Sequence, residues 1–259
     1  MTSVDDELLI RRYRDDHGCR TKLVCFAPAG AGASTFHTWA KGLPSDVGLL
    51  AVRYPGREDR LRDPIPPRLE DLADEIADGI RALSGYRLVL FGHSMGATVA
   101  HEVALRLQEQ GRPPAALCVS GRRPTHLLPG RKMISGSDAE IIAHIVGFDD
   151  SRSAVFDDEA LRELVLPAIR ADYRLVDNFD GGERPLLDCP IYGYTGDVDT
   201  EVTPEQMDRW ADLTRGSFRL VVMPGGHFYL RAEEAALLAD LSGVLAEVKA
   251  RKSRTATVP

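Results

Sequence analysis

The stretch LVLFGHSMGATVAHEVAL, from Leu88 to Leu105, joins a short apolar run to a helical pattern through a serine with a glycine two residues to either side. The run Leu88–Phe91 is typical of a strand buried on both faces, and hydrophobic residues recur at helical spacing after Gly96. A serine in this setting fits the nucleophile elbow, a strained turn that exposes the hydroxyl above a sheet. The sequence therefore predicts Ser94 as a catalytic nucleophile, with a purely structural Gly-Ser turn as the alternative.

The rest of the chain alternates apolar runs with helical segments. The runs are Leu23–Phe26, Gly48–Val52, Arg87–Phe91, Ala115–Ser120, Ile191–Thr195 and Phe218–Met223. A crossover helix is expected from Leu69 to Leu83, where hydrophobic residues follow helical periodicity. Another helix is expected to begin at Thr203, because Thr203-Pro204-Glu205-Gln206 has the residues of a capping box. This alternation predicts an α/β fold with a mostly parallel central sheet and helices on both faces.

One interval, from Ser120 to Cys189, has no convincing strand pattern. It contains two helical patterns, one beginning at the Ser137-x-x-Glu140 capping box and one from about Asp157 to Phe179. An insertion after the carboxyl end of a strand lies near the edge where open α/β sheets bind ligands. We therefore expect a single domain over residues 1–259 with a helical lid inserted at residues 122–188. A helical elaboration without a gating role is the alternative.

The composition argues against several classes of protein. A net charge of −7 over 259 residues is opposite in sign to the basic footprint of a nucleic-acid-binding protein. No apolar run approaches the roughly 18–20 residues of a membrane span, and the N-terminus lacks the apolar segment of a secretory signal. The four cysteines form no C-x-x-C pair. We therefore expect a cytoplasmic protein with no metal site and no nucleic-acid or membrane partner.

A serine nucleophile needs a base to take its proton and an acid to orient that base. In folds with this elbow, the acid and then the base follow the serine along the chain. His227 is the predicted base because it follows directly after the last apolar run. Asp199 is the predicted acid because it lies beyond the end of the preceding run and can lean toward the His227 loop. The other candidates, which fit these positions less well, are His126, His144, Asp197 and Glu201.

Acyl transfer also requires N–H donors for the developing oxyanion. The residue after the nucleophile supplies the first, which is Met95, and the loop after an early strand supplies the second, from Ala29 or Gly30. We favour Ala29. The same glycine-rich loop does not fit a nucleotide site, because Gly30-x-Gly32-x-x-Thr35 lacks the third glycine of the dinucleotide fingerprint. We predict no bound cofactor.

Five motifs occur in order between roughly Lys22 and Leu245. They are Phe26-Ala27-Pro28-Ala29-Gly30, Tyr54-Pro55-Gly56-Arg57-Glu58-Asp59-Arg60, Gly92-His93-Ser94-Met95-Gly96, Gly196-x-x-Asp199 and Gly225-Gly226-His227-Phe228. Together they resemble the type II thioesterases of polyketide and nonribosomal peptide assembly lines. The second motif is much more specific than the elbow, which marks only a superfamily. The sequence departs from many relatives at Ala31-Gly32, where they have consecutive glycines.

The resemblance implies an α/β-hydrolase fold and a serine thioesterase. Such enzymes hydrolyse acyl groups from the phosphopantetheine arms of acyl or peptidyl carrier proteins and so clear stalled or mis-primed chains. Phosphopantetheine then belongs to the substrate, and a helical lid covers the entrance. We expect a monomer. The alternatives are a general carboxylesterase or lipase-like hydrolase with the same residues, and a non-catalytic scaffold that binds carrier proteins.

Carrier proteins of such systems are generally acidic, and this chain is acidic too, so attraction over a distance would require a local basic patch. The sequence offers two candidate groups. The first consists of Arg122, Arg123, Arg131 and Lys132, and the second of Arg57, Arg60 and Arg62. Ordinary solvated surface is an equal alternative for both.

Overall fold

The computed structural model describes residues 6–15, 18–128, 137–148 and 153–255. Within these ranges seven strands form one sheet. The strands are β1 Ile10–Arg14, β2 Thr21–Phe26, β3 Val47–Val52, β4 Arg87–His93, β5 Ala116–Ser120, β6 Ile191–Gly196 and β7 Phe218–Met223. Their order is β1-β3-β2-β4-β5-β6-β7, and all neighbours are parallel except β1 and β3. The predicted α/β class and mostly parallel sheet are confirmed, since each of the six apolar runs forms a strand.

The edge strand β1 was not predicted from the sequence. Its residues, IRRYR, include three arginines and form no apolar run. The structure explains one of these arginines, because Arg14 donates hydrogen bonds to the carbonyl oxygens of Ala40, Val47 and Pro44 at 2.6–2.9 Å. An edge strand pairs on one side only, so it does not need the continuous apolar sequence of an interior strand.

Three helices outside the insertion lie where the sequence predicts helices. They are α2 Leu69–Gly79, which a 3₁₀ helix continues to Leu83, α3 Met95–Glu109 and α7 Pro204–Asp208. The other three, α1 Asp6–Leu9, α8 Tyr229–Ala232 and α9 Glu234–Thr255, were not predicted. The expected capping box is present, because the Thr203 hydroxyl accepts the Gln206 N–H and the Gln206 amide oxygen accepts the Thr203 N–H. In the part of the chain that the structure covers, no helix is both long and apolar enough to cross a bilayer.

The interval between β5 and β6 contains helices and, in its described residues, no strand. The helices are α4 Asp138–Phe148, α5 Ser153–Asp157 and α6 Glu159–Asn178. Half of the expected capping box is present at the start of α4. The Ser137 N–H donates to the Glu140 carboxylate at 2.8 Å, whereas the Glu140 N–H donates to the Ser137 carbonyl oxygen at 3.0 Å. These helices have a small apolar cluster of their own, separate from the main core, which comprises Ile141, Ile145, Phe156, Leu166 and Ile169.

The common direction of strands β2 to β7 positions the candidate site. Because the carboxyl ends of parallel strands lie along one edge of a sheet, the loops that follow β2, β4, β6 and β7 emerge on the same side. These loops carry Ala29, Ser94, Asp199 and His227, respectively. Residues far apart in the sequence are therefore brought to one edge of the sheet.

Candidate active site

Ser94 occupies the sharp turn between β4 and α3. Its backbone has φ 53° and ψ −122°, a combination that is strained for a residue with a Cβ. Such a conformation costs about 1–3 kcal/mol and persists only where the surroundings enforce it. Here the Ser94 N–H donates to the Ser120 carbonyl at 2.8 Å, which ties the turn to the end of β5. The turn has the backbone geometry expected of a nucleophile elbow.

The glycines on both sides of Ser94 permit close contacts between backbone segments. A Cβ on Gly92 would lie 2.1 Å from the Gly96 carbonyl oxygen, and a Cβ on Gly96 would lie 2.2 Å from the Phe26 carbonyl oxygen. The obstructing atoms belong to the backbone, so they cannot move aside as a flexible side chain would. The two glycines therefore let α3 start close against the ends of β2 and β4.

We expect Gly96→Ala to lower the free energy of unfolding by about 3 kcal/mol or more, because the added methyl group overlaps the backbone at Phe26. Gly243→Ala is the matched control. Gly243 lies within α9, and a methyl group added there would meet no heavy atom within 4 Å beyond the backbone of its own helix. Alanine at this position should stabilise the helix by about 1 kcal/mol. Urea unfolding of both variants measures the difference, and equal stability of the two would contradict the close-packed turn.

His227 and Asp199 form a buried hydrogen-bonded pair. The distance from His227 Nδ1 to Asp199 Oδ2 is 3.0 Å, and the two side chains are 5% and 0% exposed. The other Asp199 oxygen accepts the Glu201 N–H at 2.8 Å, which fixes the carboxylate. In the tautomer in which Nδ1 carries the hydrogen and donates to Asp199, His227 Nε2 has a free lone pair and can accept a proton.

The competing aspartate, Asp197, contacts a different atom of the histidine loop. Its carboxylate accepts the Gly225 N–H at 2.8 Å and leaves the imidazole to Asp199. The two loops lie so close together that a Cβ on Gly196 would be only 2.1 Å from the Gly225 carbonyl oxygen. Asp197 therefore holds the backbone of the histidine loop, whereas Asp199 orients the imidazole.

A cavity of about 260 Å³ brings the other predicted site residues together. Ser94, Met95, Ala29 and His227 all line it. Met95 is the first residue of α3, where backbone N–H groups have no acceptor within the helix. The Gly30 N–H donates to Asp172 at 2.7 Å, which leaves Ala29 as the candidate donor on this loop.

Other titratable residues, Arg122 and His144 among them, also line this cavity, and of these two the sequence offered only His144 for the active site, as an alternative base. Arg122 donates from Nε to the Thr98 hydroxyl at 3.1 Å, and burial lowers the pKa of Arg122 to about 10, so the guanidinium stays charged at neutral pH. His144, on α4, lines the cavity as well, and burial lowers the pKa of its imidazole. The helical insertion thus contributes a titratable side chain to the cavity that contains Ser94.

His93, the residue before the nucleophile, begins a buried chain of side-chain hydrogen bonds. His93 Nδ1 is 2.9 Å from the Ser120 hydroxyl, which is 2.7 Å from the Tyr229 hydroxyl. The His93 ring centroid is 5.0 Å from that of His227. Burial, followed by the charge of His227, holds the pKa of His93 well below its ordinary value, so His93 stays neutral. The sequence signal that could have indicated this chain is His93 itself, next to the nucleophile.

Among the described residues of the two candidate docking patches, Arg62 alone is exposed. Arg60 is buried in an ion pair with Glu75, and Arg57 pairs with Asp172 with 11% of its side chain exposed. In the first group, Arg122 and Arg123 line the cavity, and Arg131 and Lys132 lie outside the described residues. The interpretation of Arg57 and Arg60 as a docking patch was therefore wrong, because long side chains of either sign can be drawn inward by a partner of opposite charge.

The described residues offer no evident metal site. Across residues 6–15, 18–128, 137–148 and 153–255, no group of three or more histidine, cysteine, aspartate or glutamate side chains is arranged to hold a metal ion. The cysteines are buried free thiols, and burial raises the pKa of Cys25 and Cys118. That the protein works without a metal or cofactor stays a prediction.

The chain is similar in sequence and in structure to known thioesterases. The model of the thioesterase domain family matches residues 21–244. The thioesterase PikA5 of Streptomyces venezuelae is 35% identical over 93% of this chain and 86% of its own length. The type II thioesterase BorB from the borrelidin biosynthetic cluster is 36% identical, with a TM-score of 0.78 over 93% of this chain and 96% of its own. The RedJ thioesterase from the prodiginine pathway of Streptomyces coelicolor is 35% identical, with a TM-score of 0.81 over 88% and 87% of the two chains.

Proposed function

The chain belongs to the thioesterase domain family and has the α/β-hydrolase fold, and from this premise we propose that it hydrolyses acyl groups from the phosphopantetheine arms of acyl or peptidyl carrier proteins. The observation that carries the proposal is the buried His227–Asp199 pair beside a cavity that Ser94 also lines. The similarity to type II thioesterases of biosynthetic clusters supports the substrate class and a role in removing aberrant or stalled chains.

The proposed mechanism assigns one task to each group. Ser94 Oγ attacks the thioester carbonyl carbon while His227 Nε2 takes its proton, and Asp199 holds the imidazole tautomer and stabilises the imidazolium. The Met95 and Ala29 N–H groups donate to the oxyanion. Collapse of the tetrahedral intermediate breaks the C–S bond, and the proton on His227 passes to the departing thiolate. Water, deprotonated by His227, then attacks the acyl-serine carbonyl carbon. The C–O bond to Ser94 breaks and the proton on His227 passes to Ser94 Oγ, which releases the carboxylic acid and restores the serine.

The remaining elements of the proposal concern organisation and partners. We propose a single domain over residues 1–259 in which residues 122–188 act as a lid, supported by the presence of His144 and Ile145 of α4 in the lining of the cavity. The partner is a carrier protein bearing the acyl-phosphopantetheine. A monomer in the cytoplasm, with no cofactor of its own, fits this role.

The test offers the protein a panel of acylated carrier proteins and follows loss of the acyl group by intact mass. We expect hydrolysis of acyl thioesters, and faster turnover of acyl-pantetheine thioesters than of matched oxygen esters, since a thiol of pKa about 8.5 leaves more readily than an alkoxide. Preference for oxygen esters would instead favour a carboxylesterase. Binding of carrier protein with no hydrolysis of any acyl group would favour a scaffold.

A further inference from the structure

An ion pair connects the helical insertion to the loop after β3, next to the loop that carries Ala29. Arg57, in the loop after β3, donates from Nη1 to Asp172 Oδ2 at 2.5 Å and from Nη2 to Asp172 Oδ1 at 2.6 Å. Asp172 lies on α6, so the pair links two segments 115 residues apart. The side chains are 11% and 1% exposed, respectively. Bidentate geometry combined with burial makes this contact directional as well as strong.

The same carboxylate also binds the backbone of the Ala29 loop. Asp172 Oδ2 accepts the Gly30 N–H at 2.7 Å, and Arg57 Nη1 donates to the Ala31 carbonyl oxygen at 3.1 Å. The ion pair therefore fixes two peptide units of this loop, the one that joins Ala29 to Gly30 and the one that joins Ala31 to Gly32. Because Ala29 belongs to the first of them, its position depends on where Asp172 lies.

Packing brings α6 to the same loop by a second contact. Gly30 has φ 70°, and a Cβ on it would lie 2.8 Å from Ile169 Cγ1, one turn before Asp172 on α6. Burial alone would lower the pKa of Arg57, but the charge of Asp172 and its hydrogen bonds outweigh burial and raise that pKa, so the guanidinium stays charged. The loop is thus held by an apolar and an ionic contact from one helix.

We propose that Asp172 is a positioning residue for the oxyanion donor, holding the Ala29 loop in its catalytic conformation through Gly30, with Arg57 orienting its carboxylate. The inference rests on the proposed function of Ser94 and Ala29. It follows that the oxyanion site is complete only while α6 is seated on this loop. A helix of the insertion therefore takes part in assembling the site.

A role in positioning is distinguishable from a role in stability. Replacing a buried ion pair by apolar residues of similar size often preserves stability. The double variant Arg57→Met/Asp172→Leu therefore removes the acceptor for the Gly30 N–H while leaving the contact between α6 and the loop apolar and filled. Asp172→Asn is the second variant, since one amide oxygen cannot replace two carboxylate oxygens that accept three N–H groups. Glu75→Gln is the control, because it replaces a carboxylate on α2 that pairs with the buried Arg60 and makes no bond to Asp172 or to the Ala29 loop.

The measurements are kcat and KM on a small acyl-thioester, the melting temperature, and the affinity for an alkylboronic acid. A boronic acid forms a tetrahedral adduct with Ser94 Oγ and places an oxygen at the oxyanion donors, so it reports on them without a carrier protein. We expect kcat and boronate affinity to fall together, by about 10- to 100-fold, in both Asp172 variants, with KM changed less than about threefold. Glu75→Gln should leave both values within about twofold of the wild type.

Two results would overturn the proposal. One is a folded double variant with wild-type kcat and boronate affinity. The other is a loss of kcat with unchanged boronate affinity. A wild-type protein that binds boronate but ignores every acyl-carrier protein would contradict the proposed substrate instead, while the boronate affinities of the variants would still decide the role of Asp172.

Discussion

Ser94→Ala should lower kcat for acyl-thioester hydrolysis about 10⁶-fold, which is the order of loss when the nucleophile of a serine hydrolase is removed. The serine sits in a strained turn on the cavity that His227 also lines, so alanine removes the attacking atom and leaves the cavity in place. Hydrolysis should be measured on an acylated carrier protein and on a small acyl-thioester. Intact mass during turnover should show an acyl adduct on the wild type and none on the variant.

The melting temperature is the control for this variant. Alanine differs from serine by one hydroxyl and meets the same strain at φ 53°, so the melting temperature should change by only a few degrees. A folded Ser94→Ala protein that still hydrolyses thioesters at the wild-type rate would reject the nucleophile assignment. It would also remove the basis for the roles given to His227 and Asp199.

Asp199→Asn should lower kcat about 10⁴-fold, with binding of the substrate little affected. The size of the loss reflects the imidazole tautomer, because an amide in place of the carboxylate can favour the form with the proton on the wrong nitrogen. The variant keeps the shape of the acid, so the 3.0 Å contact with His227 Nδ1 can persist while its chemistry changes. Pre-steady-state acylation and steady-state kinetics together measure the effect.

Asp197→Asn is the matched control for that variant. Asp197 lies two residues earlier and contacts the Gly225 N–H, a bond that the amide oxygen of asparagine can also accept. We expect its kcat to stay within about fivefold of the wild type, since the imidazole is not touched. A larger loss at position 197 than at 199 would reverse the assignment of the two aspartates.

The candidate site was predictable where its signals are local. The glycine-flanked serine between an apolar run and a helical pattern indicated both Ser94 and the sheet edge on which it lies. The order of acid and base along the chain then limited the search to the loops after β6 and β7. The first inference depends on backbone strain and on side-chain periodicity, which act over a few residues and are therefore visible in the sequence. The second depends on the order of the strands along the chain, which the apolar runs also show.

Choices between neighbouring residues depended on contacts across the fold. Asp199 and Asp197 share one short loop, and only the approach of the Gly225 loop separates their partners. Ala29 and Gly30 are adjacent, and Gly30 is excluded as a donor because Asp172, 142 residues away, accepts its N–H. Sequence spacing carries no information about which of two adjacent groups meets a distant partner.

Local sequence patterns were sufficient to predict the parallel sheet, the strained turn at Ser94 and the loops that carry the candidate acid, base and oxyanion donors. Long-range packing was needed to establish that β1 completes the sheet edge, that Arg57 turns inward to Asp172 and that α6 holds the Ala29 loop. The physical reason is the range of the forces involved. Periodicity and backbone strain are set by near neighbours in the chain, whereas ion pairing and burial depend on which distant segments packing brings within about 3 Å of each other.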